Sequence, residues 1–164
     1  LTAEDVEDKK THCGCPGSRE IVFEQSDVND NEGGSRISHL RQWPIQLHLV
    51  SPNAPYFKNS DLLLAADCCG FAYPDFHKDF LKGKSLAIAC PKLDTNKEVY
   101  LDKLVTMINE TNLKSITVLI MQVPCCSGLA QLAQQAIEIS GSEIPVNVTV
   151  ISHNGEILQT MQIN

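Results

Sequence analysis

The sequence lacks the features that would place it in a membrane or on a nucleic acid. No apolar run approaches the roughly 20 residues that a helix needs to cross a bilayer, and residues 1–10 are acidic, unlike the basic start of a secretory signal. The chain has 13 Lys and Arg against 20 Asp and Glu, so it offers no excess of cations to a phosphate backbone. We therefore expect a cytoplasmic protein with neither a membrane nor a nucleic acid as its partner.

Common catalytic signatures are missing as well. The chain contains no Gly-x-Gly-x-x-Gly turn, no P-loop, and no Ser, His and Asp in a hydrolase order. Cysteine, in contrast, occurs seven times in 164 residues. In an intracellular protein, such an accumulation of thiols indicates metal binding or redox work more often than a disulfide framework.

Composition divides the chain near residue 42. Residues 1–42 are polar and interrupted by Gly, Asp and Asn, which predicts an arm that carries the motif HCGCPGS at residues 12–18. Residues 43–164 alternate short apolar runs with helical segments, which is typical of an α/β domain. We predict three layers, with a mostly parallel sheet, helices on both faces and an antiparallel hairpin at the C-terminal edge.

Hydrophobic periodicity locates the elements of this domain. The predicted strands are 45–50, 61–67, 85–89, 115–123, 146–151 and 157–163. A short aromatic helix is predicted near residues 75–81, and a capping box from Thr95 to Glu98 predicts the start of a second helix. A third helix follows Pro124 and ends at Gly141, and the Asn154-Gly155 pair predicts the hairpin turn.

Cysteine follows three predicted parallel strands at their carboxyl ends, at Cys68, Cys90 and the pair Cys125-Cys126. Carboxyl ends of parallel strands meet at one edge of a sheet, which is where open α/β sheets bind ligands, so we expect these thiols to converge. Soft thiolates favour zinc, copper(I) or iron–sulfur clusters. Structural zinc sites use closely spaced cysteine knuckles, whereas thiols at separate strand ends favour a [4Fe–4S] cluster.

The remaining cysteines and one histidine have different predicted roles. Cys69 is predicted to pack in the core, because adjacent residues at a strand end point in opposite directions. In the arm, Cys15 lies in a tight turn with Pro16 and Gly17 and is a further candidate ligand. Cys13 and His12 are weaker candidates for the same site.

Several stretches of the chain carry a family resemblance. They are LRQWPIQLHLVSPNAPYF from Leu40, DLLLAADC, LKGKSLAIACPKLD, MQVPCCSGL and HCGCPGSR. Together they resemble the C-terminal domain of ferredoxin-like 4Fe–4S proteins of anaerobic bacteria and archaea. In that family a ferredoxin module with closely spaced cysteines commonly precedes this domain, and no such run occurs here. The resemblance implies a redox context, with Cys15, Cys68, Cys90, Cys125 and Cys126 as the motif cysteines.

The sequence is compatible with three functions. The first is electron transfer by a [4Fe–4S] protein whose partner is a redox protein or a ferredoxin module. The second is an enzyme in which one iron of the cluster lacks a protein thiolate and binds a small substrate. The third is a zinc or thiol-exchange module, in which Cys125-Cys126 at a helix N-terminus supplies a reactive thiolate.

Overall fold

A computed structural model describes residues 20–23 and 36–164 of the chain. Its first elements form a two-stranded antiparallel ribbon of β1 (Ile21–Val22) and β2 (Gln42–Trp43). Buried Gln42 joins the ribbon to the main sheet. Its side-chain amide donates to the carbonyl oxygen of Leu86 at 2.6 Å, and its Oε1 accepts from the Leu86 N–H at 3.1 Å. The predicted boundary at residue 42 stays a prediction, because most of residues 1–42 lies outside these ranges.

Five strands form the main sheet in the order β4-β3-β5-β6-β7. They are β3 (Asp61–Ala66), β4 (Ser85–Ala89), β5 (Ser115–Met121), β6 (Val146–Ile151) and β7 (Ile157–Gln162). Strands β3 to β6 run parallel, and β7 returns antiparallel to β6 at the edge. The sheet therefore confirms the predicted parallel core and C-terminal hairpin.

Three connections cover the two faces of the sheet. The segment from β3 to β4 holds α1 (Cys69–Ala72) and a π-helical turn at Phe76–Leu81. Helix α2 (Lys97–Glu110) joins β4 to β5, and α3 (Ser127–Ser140) joins β5 to β6 and packs against α2. No helix in the described ranges is long and apolar enough to cross a membrane.

The strand order creates a switch point between β3 and β5. From β3 the chain crosses to β4 on one side, and the later crossovers through β5 run to the other side. Right-handed crossovers in opposite directions place their helices on opposite faces, which gives the predicted three layers. Loops diverge at the carboxyl ends of β3 and β5, and such a divergence opens a crevice for ligands.

A continuous apolar strand lies at the centre of this core. Leu62, Leu63 and Leu64 of β3 are all fully buried. Burial on both faces is typical of a parallel strand covered by helices, and it explains why this strand reads as an unbroken apolar run.

The predicted strand at residues 45–50 is wrong. Only Gln46 forms a bridge there, parallel to Ile88 of β4, and the chain then turns. Lys103 of α2 explains the turn, because its ammonium donates to backbone carbonyl oxygens that a strand would direct to its neighbours. The three acceptors are Leu47, His48 and Val50, at 2.9, 2.7 and 2.8 Å.

The predicted capping box before α2 is also wrong. The N-cap residue is Asn96, which has a left-handed backbone with φ of 53° and makes no side-chain cap hydrogen bond. Asp94 organises the preceding loop instead, since its Oδ2 accepts from the Cys90 N–H at 2.8 Å and from the Tyr100 hydroxyl at 2.6 Å.

Candidate functional site

Four cysteines lie beside the switch point at the carboxyl edge of the sheet. Cys68 follows β3 and is the N-cap residue of α1, and Cys69 begins that helix. Cys125 and Cys126 follow β5, and Cys126 is the N-cap residue of α3. Because β3 and β5 are neighbouring parallel strands, the two cysteine pairs follow adjacent strand ends at the same edge of the sheet.

Exposure separates these thiols into two kinds. Cys68 and Cys125 are exposed, whereas Cys126 is only 7% exposed and Cys69 is fully buried. The Cys69 thiol donates to the carbonyl oxygen of Leu119 in β5 at 3.5 Å. Cys69 is therefore a core residue, as its position at the strand end predicts, and the exposed thiols are the ones that a ligand can reach.

Burial and neighbouring thiols raise the pKa values of both buried cysteines. Burial raises the pKa of the Cys126 thiol, and negative charge at Cys125 and at Cys68 raises it further. Burial, together with charge at Cys126 and Cys68, raises the pKa of the Cys69 thiol to about 12. We call Cys68, Cys125 and Cys126 the thiol site.

A carboxyl group lies directly before this site. Asp67 precedes Cys68, and its Oδ1 is buried with no hydrogen-bond partner among the described residues. Burial, and to a smaller extent the charge of Asp94, raises the pKa of Asp67. This carboxyl therefore holds its proton to a higher pH than an ordinary aspartate.

Cys90 is half-buried and follows a different strand from the other cysteines. It follows β4, which is two strands from β5 in the sheet, a separation of about 10 Å between the strand axes. Cys68, Cys125 and Cys126 thus follow two neighbouring strands, whereas Cys90 follows the strand on the other side of β3.

The arm candidates, Cys13, Cys15 and His12, lie outside the described residues. Their predicted roles as ligands therefore stay predictions.

A groove between α2 and α3 opens beside Cys125. Its lining includes apolar side chains (Ala89, Pro91, Leu129, Leu132) and the long polar side chains of Lys97, Gln131 and Gln135.

The volume of this α2–α3 groove, about 280 Å³, suits a small molecule rather than a macromolecule. Gly128 lets α3 approach the loop after β4, since a Cβ at this position would lie 3.3 Å from the Pro91 Cβ. Sequence reasoning missed Lys97, Gln131 and Gln135. The spacing of the two glutamines, four residues apart on a predicted helix, was the one signal that they share a face.

The described residues contain no group of three or more His, Cys, Asp or Glu side chains that could hold a metal ion. Among the predicted ligands in the described ranges, Cys68 and Cys125 are exposed and Cys126 is buried. Cys90 follows β4, which is separated from β5 by β3. The thiols that are described therefore do not form a metal site by themselves.

Comparison with known proteins identifies the family. A family model for a Rossmann-like domain matches residues 54–164, which is most of the chain. The chain belongs to the Rossmann-like domain family. An uncharacterized protein of Archaeoglobus fulgidus is 26% identical to this Rossmann-like chain over 121 residues, which cover 74% of this chain and 84% of that protein. No solved structure matches the chain.

These findings correct the resemblance to ferredoxin-like 4Fe–4S proteins, which is wrong. The stretches DLLLAADC and SLAIAC are the buried parallel strands β3 and β4 with the residues that follow them, and a Rossmann-like sheet requires such strands. Classification as an iron–sulfur, metal-binding, electron-transport protein of an anaerobe is corrected with it. The family match and the lack of a metal-holding group in the described ranges overturn that classification.

Proposed function

We propose that this Rossmann-like domain carries out thiol–disulfide exchange at the carboxyl edge of its sheet. One observation carries the proposal: Cys68 and Cys125 are exposed thiols that follow the carboxyl ends of two neighbouring parallel strands. Two thiols that come within bonding distance can give up two electrons together by forming a disulfide.

Cys125 makes the first attack in this proposal. It is exposed and lines the α2–α3 groove, so a small disulfide can reach its sulfur. The Cys125 thiolate attacks one sulfur of the substrate, and the substrate's S–S bond breaks. Cys125 then holds one half as a mixed disulfide, and the other half leaves as a thiolate that takes up a proton.

Cys68 completes the exchange. Its thiolate attacks the Cys125 sulfur and releases the second half of the substrate, so the protein gains one disulfide and the substrate gains two electrons. Adjacent cysteines suit this step poorly, because their Cα atoms lie about 3.8 Å apart, whereas disulfides usually join Cα atoms about 4.4–6.8 Å apart. Cys68 and Cys125 are not adjacent in the chain, so this limit does not apply to a disulfide between them.

Cys126 has a different part in this scheme. Burial and the neighbouring thiols raise its pKa, so its thiol stays protonated when the exposed thiols react. We propose a cytoplasmic setting and a redox protein as the partner that restores the thiols, because a reducing compartment keeps free cysteines reduced. All five cysteines in the described ranges are free.

Trapping the mixed disulfide tests the proposal. Reduced protein is treated with the neutral probe hydroxyethyl disulfide, and intact mass and peptide mapping follow the products. Wild type should lose both probe halves and keep an internal disulfide. The Cys68→Ser protein should retain one probe half on Cys125. The Cys125→Ser substitution should lower the rate of reaction with the probe by roughly tenfold or more, because the attacking thiol is missing. Cys90→Ser is the matched control and should behave as wild type.

Two results would overturn the proposal. One is a Cys68→Ser protein that releases both probe halves as wild type does. The other is anaerobically purified protein that carries about four iron and four sulfide per chain. That metal content would support the competing account, a [4Fe–4S] cluster held by thiols of the described edge and of the arm.

A further inference from the structure

The described lining of the α2–α3 groove carries a positive charge at Lys97. Lys97 is the charged side chain in its described lining, and no Asp or Glu of that lining opposes it. Within residues 20–23 and 36–164, the ion pair found is between Arg36 and Asp75, so Lys97 has no carboxylate partner there. An anionic group entering the groove would therefore meet an available cation.

The rest of the groove fits a short, partly apolar molecule. Ala89, Pro91 and Leu129 offer apolar contact, and the amides of Gln131 and Gln135 lie one helical turn apart. Neither amide has a hydrogen-bond partner among the described residues. Cys125 belongs to the same lining, so a ligand held by Lys97 lies within the space that the thiol faces.

We propose that the α2–α3 groove binds a small disulfide that carries a carboxylate, with the carboxylate paired to Lys97 and the disulfide presented to Cys125. This inference rests on the proposed thiol exchange and names its substrate class. The chemistry is unchanged: the Cys125 thiolate forms a new S–S bond with one half of the ligand, and the other half leaves as a thiolate.

Cys68 supplies an internal control. It is exposed like Cys125, but it does not line the groove. A reagent that reacts with both thiols therefore compares a groove thiol with a thiol outside the groove in the same molecule.

The test compares alkylation of the reduced full chain by iodoacetate, which carries a carboxylate, and by neutral iodoacetamide. Peptide mass spectrometry gives the rate at each cysteine. The ratio of the iodoacetate rate to the iodoacetamide rate should be roughly two- to fivefold higher at Cys125 than at Cys68, as expected for one partly solvated ion pair. Lys97→Gln should abolish the difference, and Lys97→Arg should keep it. Lys92→Gln changes an exposed lysine outside the groove and should leave the ratio as in wild type.

Equal ratios at Cys125 and Cys68 in wild type would overturn the inference, and so would a preference that survives Lys97→Gln. Alkylation requires no second thiol. If no disulfide forms but Cys125 still prefers iodoacetate, the result counts against the proposed exchange alone. If exchange is normal but Cys125 shows no such preference, the result counts against the carboxylate-bearing substrate alone.

Discussion

Exposure decides what each thiol at the carboxyl edge can do. Cys68 and Cys125 meet solvent, and Cys126 is buried beside them with a raised pKa. The sequence could predict that cysteines end these strands, because strand ends are visible as the end of an apolar run. It also predicted that Cys69 is buried, but not that Cys126 is buried while Cys125 is exposed, because that difference depends on the loop that covers the end of β5.

The raised pKa of Asp67 predicts an effect on stability that depends on pH. Burial and Asp94 raise its pKa, so the folded chain holds this proton more tightly than the unfolded chain does. The stabilising contribution is thus present below the unfolded pKa and is lost as the pH rises through the folded pKa. We expect Asp67→Asn to increase the free energy of unfolding near pH 7 by up to about 1 kcal/mol, after allowing for partial exposure.

The effect of Asp67→Asn should fade near pH 3, roughly one unit below the usual aspartate pKa, because Asp67 is then protonated in both states. Urea denaturation at the two pH values measures both quantities. Asp102→Asn, at an exposed position of α2, is the matched control and should change stability little. Equal gains from Asp67→Asn at both pH values would show that the charge of Asp67 does not cause the destabilisation.

Elements were predictable where hydrophobic period and hydrogen bonding agree. The bounds of β4 and β6 match the predicted strands, since their apolar runs are also paired within the sheet. The segment at 45–50 differs, because Leu47 and Val50 are buried although the chain turns. The apolar pattern of residues 45–50 correctly predicts that this segment contains buried side chains. It does not reveal that Lys103 donates to the backbone carbonyl groups of this segment.

Lys103 joins helix α2 to the turn that follows Gln46. Its ammonium donates to three backbone carbonyls in the turn after Gln46, and burial lowers its pKa. Lys103→Met keeps much of the side-chain stem but removes these donors. We expect a loss of about 1–3 kcal/mol in the free energy of unfolding, the usual cost of leaving buried acceptors unpaired.

Urea denaturation of Lys103→Met measures that loss. Lys114→Met, at an exposed lysine position, is the control and should change stability by less than about 0.5 kcal/mol. A similar small change for Lys103→Met would mean that water replaces the ammonium in the turn at little cost.

At the scale of the whole molecule, strand order determines which cysteines meet. The sequence predicted a parallel sheet and the convergence of thiols at its carboxyl edge, because both follow from the alternation of strands and helices. It did not predict the order β4-β3-β5, which places Cys68 beside the β5 cysteines and leaves Cys90 two strands from them. The order depends on packing across the sheet, which a single sequence does not display.

A redox titration of the full chain is the most direct test of the proposed disulfide between Cys68 and Cys125. The protein is equilibrated anaerobically in dithiothreitol buffers of increasing oxidised fraction, free thiols are alkylated, and peptide mass spectrometry maps the disulfides. The account predicts one two-electron transition in which Cys68 and Cys125 lose alkylation together and appear in a single crosslinked peptide, while Cys90 stays alkylated. Alkylation of both Cys68 and Cys125 throughout the titration would contradict it.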